Sequence, residues 1–101
     1  MFVTSQGSPH SRFRRALQTG NLRVVEAAAA ELPSIALDDA LVMLCLLADA
    51  GDPRFERAAV RWIGRLLLET PADLSDARFA LALVERLPTC RDALHGLARR
   101  R

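Results

Sequence analysis

The stretch that most limits the fold is ALVMLCLLA, residues 40–48, nine apolar residues in succession between an Asp-Asp pair and Asp49. Nine residues are about half of what a helix needs to cross a bilayer, and more than a short buried strand requires. Wound as an α-helix the run has no polar side. A helix without a polar face has to be surrounded, so the rest of the chain must supply helices to cover it.

The flanking sequence is cut into helix-sized pieces by proline and glycine. From Ser11, SRFRRALQTG reads as a short helix with Phe13, Ala16 and Leu17 on one side, stopped by Gly20. Asn21 is placed to cap the next helix, residues 22–32, which Pro33 ends. The apolar helix spans 37–50, with Asp38 and Asp39 in its first turn, where the partial positive charge of the helix end favours carboxylates. Asp52 followed by Pro53 is a start signal for a fourth helix reaching Glu69. A fifth, 74–87, repeats Leu74, Ala77, Ala80, Leu81, Val84 and Leu87 at helical spacing, and a sixth, 90–98, packs through Leu94 and Leu97. Thr89 and Asp92 stand at capping-box spacing before it. No segment alternates with the period of a strand. The expected fold is all-α: six helices as three antiparallel hairpins in a solenoid-like stack, with a closed helical bundle as the alternative.

Shifting the chain by 31 residues lays LQTGNLRVVEAA over ADAGDPRFERAA and aligns Gly20 with Gly51 and Arg23 with Arg54. The joint resembles the inter-helix turn of ankyrin-type repeats, although their Thr-Pro-Leu-His opening is absent. Over residues 13–68, GNLRVVEAAAAELP and FERAAVRWIGR resemble a group of short, all-helical actinobacterial proteins with no known activity. That resemblance implies a helical fold and no particular chemistry.

Length bounds the organisation: 101 residues make one domain, read here as an arm over 1–10, a helical body over 11–98 and a basic tail over 99–101. Two cysteines, Cys45 and Cys90, are too few for a disulfide framework, and there is no apolar leader at the N-terminus; both suggest a cytoplasmic protein with no membrane attachment. Cys90, at a helix start beside Arg91, has the setting of a lowered thiol pKa, but His95 falls on a different face and supplies no base. His10 and His95 have no metal-ligand spacing, and there is no Gly-rich phosphate loop, His-Glu motif or Cys-x-x-Cys pair. The chain is therefore expected to be no enzyme and to use no cofactor or metal.

All fourteen basic residues are arginine. Residues 36–52 carry four aspartates and no arginine, whereas 53–69 carry four arginines against two glutamates. Those four, Arg54, Arg57, Arg61 and Arg65, fall on one side of the fourth helix, opposite Phe55, Ala59, Trp62, Ile63 and Leu66. Only Arg65 has a carboxylate one turn away, Glu69. Like charges four residues apart oppose the helix by a few tenths of a kcal/mol, roughly, so the arrangement asks for a reason.

Three readings supply one. The stripe can be solvated, or paired across helices with Glu26, Glu31 or the preceding aspartates, and carry no function. It can dock a protein with an acidic surface, arginine being favoured at interfaces. It can meet nucleic-acid phosphates with Arg12, Arg14, Arg15 and the terminal arginines, against which stand twelve acidic residues and only five aromatics. Leu68 lies beside the stripe as an exposed apolar contact, which adds self-association as a homodimer to the possibilities. The expectation is a small interaction module using Arg54, Arg57, Arg61, Arg65 and Leu68.

Overall fold

A computed structural model describes residues 8–87 and 91–100. These residues form six α-helices and no strand: α1 (Pro9–Thr19), α2 (Leu22–Ala29), α3 (Leu37–Asp49), α4 (Phe55–Glu69), α5 (Leu74–Val84) and α6 (Arg91–Ala98). They fall into two compact units, Met1–Ile35 and Ala36–Arg101.

In the first unit α1 packs on α2. The helix starts earlier than the sequence suggests. Ser8 caps α1 by accepting from the Ser11 N–H at 3.1 Å, and Pro9 occupies the first helical position, where its missing N–H costs nothing. Of the residues read as an arm, Pro9 and His10 therefore belong to the helix and Ser8 caps it; residues 1–7 lie outside the described part. Gly20 ends α1 in the left-handed region, with φ 66°, and Asn21 caps α2 by accepting from the N–H groups of Arg23 and Val24 at 3.0 and 3.3 Å. The regular helix stops at Ala29, three residues short of Leu32. The chain there tightens into i to i+3 hydrogen bonds, Glu31 to Ala28 and Leu32 to Ala29.

In the second unit α3 packs on α4, α4 on α5, α5 on α6, and α6 returns to α3. Consecutive helices pair, and the return contact closes the four into a ring; within this unit the arrangement is the closed one of the two left open by the sequence. Every residue of α3 from Leu37 to Ala48 is buried or half-buried, as an all-apolar helix requires. Leu41, Leu44, Cys45 and Leu47 are in the core. Leu94 and Leu97 of α6 are buried too.

Side-chain links tie the ring together. The indole N–H of Trp62 on α4 donates to the Leu37 carbonyl at 2.8 Å, satisfying the one polar atom of a ring that is 2% exposed. Asp38, in the first turn of α3, meets His95 of α6 through Nδ1 and accepts from Arg99 Nε at 3.1 Å. His95 thus has a structural role, and Asp38 reaches across to α6 in addition to sitting in its own first turn. Arg100 pairs with Asp76 at 3.0 Å. Arg99 and Arg100, read as part of the basic tail, are each held by a carboxylate; Arg101 lies outside the described residues.

The two joints that the 31-residue shift aligns share their turn geometry. Gly51 has φ 61°, close to that of Gly20, and the Asp52 carboxylate accepts from the Arg54 N–H at 2.8 Å as Asn21 accepts from Arg23. Beyond these caps the two joints diverge. Pro53 and Arg54 form a turn closed by a hydrogen bond from Phe55 to the Asp52 carbonyl at 3.0 Å, so α4 begins at Phe55, two residues later than expected. Pro88, Thr89 and Cys90, where the sequence places the start of the sixth helix, lie outside the described residues.

On α5, Ala77, Ala80 and Val84 are buried, whereas Leu74 is 77% exposed and Leu81 50% exposed. The sequence pattern counts all five as one face. The ring selects the narrower arc centred on the small residues, and Leu74 and Leu81 fall at its edge.

Candidate functional site

Helix α4 sorts its residues by angle. Ala59, Trp62, Ile63 and Leu66 are buried against the ring. Opposite them, Arg57, Arg61, Gly64 and Leu68 follow one another at steps of four, three and four, and all four are exposed. Leu68 is 88% exposed and Val60, at the flank of the stripe, 62%. The outer face of α4 therefore carries two guanidinium groups, a helical glycine and bare apolar side chains.

The four arginines of the stripe divide into two kinds. Asp52 accepts from Arg54 through both carboxylate oxygens, from Nε at 3.0 Å and from the terminal nitrogen at 2.8 Å. Those hydrogen bonds, with that from the Arg54 backbone, lower the Asp52 pKa to about 2. Glu69 accepts from Arg65 at 2.7 and 3.1 Å, and its carboxyl is held below the ordinary glutamate value by those bonds. Arg54 and Arg65 thus match the reading in which the stripe is neutralised by the chain's own acids. Arg57 and Arg61 do not: among the described residues neither has a carboxylate in ion-pair range. Glu31, one of the acids considered for the stripe, pairs with Arg12.

Sequence reasoning brought all five candidate residues to one helix; the structure places Arg57, Arg61 and Leu68 exposed on α4, Arg65 half-buried on the same helix, and Arg54 in the turn that precedes it. The preceding aspartates were among the acids considered for the stripe, and Asp52 is the one that meets Arg54, within its own Asx turn and not across helices. Sequence reasoning missed that Arg61 and Arg65 lean toward α3. There they rim a groove of about 180 Å³, lined by Met43, Leu44 and Leu47 of α3 and by Ala58 and Trp62 of α4.

A second hollow of about 480 Å³ lies between the start of α3 and the end of α6, walled by the already paired Asp38 and Arg99. Burial works against the Asp38 charge, but hydrogen bonds from His95 and Arg99 outweigh it and hold this carboxyl below the usual range. Among the described residues no group of three or more His, Cys, Asp or Glu side chains is placed to hold a metal ion, and no helix is long and apolar enough to cross a membrane. No protein family, curated protein or solved structure gives a match to the chain.

Proposed function

We propose that this protein is a small, non-enzymatic interaction module that docks a partner with an acidic surface through the outer face of α4. The observation that carries this reading is the pair Arg57 and Arg61, exposed one turn apart without a carboxylate in range among the described residues, beside Leu68 at 88% exposure. Two adjacent like charges oppose each other on an exposed helix. A partner's carboxylates would relieve that opposition, and arginine's planar fork suits paired contact with them. Leu68 and Val60 supply apolar area for the same contact.

Arg54 and Arg65 frame the site and stay engaged with Asp52 and Glu69. Three of the arginines that a phosphate-binding reading enlists, Arg12, Arg99 and Arg100, are already paired with Glu31, Asp38 and Asp76. That weighs against nucleic acid and for a protein partner. We place the protein in the cytoplasm, where a buried reduced thiol such as Cys45 persists.

The test compares a fluorescein-labelled poly-glutamate peptide with a labelled DNA duplex by anisotropy at low and physiological salt. Poly-glutamate is expected to bind, and Arg57→Glu and Arg61→Glu each to weaken it by about tenfold, the scale of one charge-assisted hydrogen bond. A preference for the duplex, or binding indifferent to both substitutions, would refute the docking role.

A further inference from the structure

The α3–α4 groove and the docking face share one residue, Arg61, and that sharing defines the partner more closely. We infer that the groove is the anchor pocket of the face: it receives one aliphatic side chain from an acidic peptide segment whose neighbouring carboxylate pairs with Arg61. This rests on the docking reading above.

Size is the first reason. Sites for small-molecule ligands enclose roughly 300–1,000 Å³, whereas an apolar cavity of about 150 Å³ holds a molecule the size of benzene. At about 180 Å³ the groove fits one side chain and little more.

Chemistry is the second. Leu44 and Leu47 form a buried apolar floor, at 2% and 8% exposure. The half-buried Met43 gives a wall that adapts to an incoming aliphatic group. The indole N–H of Trp62 is already satisfied by Leu37, so the floor presents no donor that a polar ligand would be needed to fill. At the rim Arg65 is held by Glu69, which leaves Arg61 as the rim cation without a carboxylate in range among the described residues. An apolar floor beside one available guanidinium matches an aliphatic residue followed or preceded by Glu or Asp. Interfaces concentrate their affinity in this kind of buried anchor flanked by arginine.

The probes are two peptides, acetyl-Glu-Glu-Leu-Glu-Glu-amide and the same sequence with Ala at the centre, titrated into the full chain labelled at the methionine methyl groups. The sequence has two methionines, and Met43 is the one in the groove; Trp62, the sole tryptophan, gives a second signal by fluorescence. The leucine peptide is expected to move the Met43 methyl resonance saturably and to bind about tenfold tighter than the alanine peptide, as burial of one leucine implies. Ala58→Leu, which fills the groove from its α4 wall, should abolish that difference with little effect on the melting temperature.

Equal affinities with a static Met43 methyl, both lost in Arg61→Glu, would overturn the anchor pocket and leave the acidic docking face standing. Failure of both peptides to bind would remove the two together. Leucine-peptide binding that survives Arg61→Glu unchanged would overturn the carboxylate pairing. Octanoate moving Met43 where the peptides do not would make the groove a site for a free amphiphilic acid. A Met43 shift that follows protein concentration with no peptide present would give the groove to a second copy of this chain. Either result overturns the peptide assignment.

Discussion

A methyl group placed on Gly20 or on Gly64 would meet no heavy atom within 4 Å, yet the two substitutions should pull stability in opposite directions. Gly20 sits at φ 66°, where a Cβ crowds the following carbonyl at a cost of about 1–2 kcal/mol, so Gly20→Ala should lower the urea midpoint. Gly64 lies inside α4 with helical backbone, where alanine gains roughly 0.5–1 kcal/mol over glycine. Gly64→Ala should therefore raise the same midpoint. The first outcome is readable from a glycine between two helical patterns and a capping asparagine. The second is not, because sequence says that position 64 is helical but not that the space beyond it is empty. The same limit applies to Arg57 and Arg61. Their shared face follows from spacing, whereas their lack of a carboxylate depends on where every acid of the second unit points.

Helix α5 shows how far periodicity reaches for a whole element. Its start is a capping box: Asp73 accepts from the Asp76 N–H at 2.9 Å, and the Asp76 carboxylate accepts from the Asp73 N–H at 3.0 Å. Asp73→Ala should cost about 1 kcal/mol in chemical denaturation, the usual loss for a helix cap. Its buried face was only half legible. Leucines at 74 and 81 carry the same apolar signal as Ala77, Ala80 and Val84, but which arc turns inward is set by the packing of α5 on α4 and α6, which spacing alone does not specify. Leu81→Gln should accordingly change stability by no more than about 0.5 kcal/mol, the range of an ordinary surface substitution. Ala80→Leu, at a position with 0% exposure, should cost about 1–3 kcal/mol by overpacking. If Leu81→Gln proves the more damaging of the two, the assigned face of α5 is wrong.

Across the second unit, Ala36–Arg101, four carboxylates share one electrostatic character. Asp38, Asp52, Glu69 and Asp76 all titrate below their ordinary values, and each is engaged with at least one arginine of the chain: Arg99, Arg54, Arg65 and Arg100 respectively. For Asp76 the backbone N–H of Asp73 contributes most to the shift. A carboxyl whose folded pKa lies below its unfolded value near about 4 stabilises the fold at every pH above that value. The contribution disappears as pH falls through the folded pKa, because the unfolded chain takes up protons first. Asp52 keeps its contribution down to about pH 2. The melting temperature should therefore stay nearly level between about pH 7 and 5 and then fall steadily toward about pH 2. Glu69 is exposed and the other three are half-buried at the surface, so solvent screens each contribution in part, and added salt should shrink the slope of that acid limb. Asp38→Asn isolates the α3–α6 link: it should melt lower than wild type at neutral pH and converge on it in acid, where Asp38 is protonated in both states. Parallel curves for the two proteins, offset equally from neutral pH to about pH 2, would mean that the Asp38 charge contributes nothing and that the ring is closed by its apolar contacts alone.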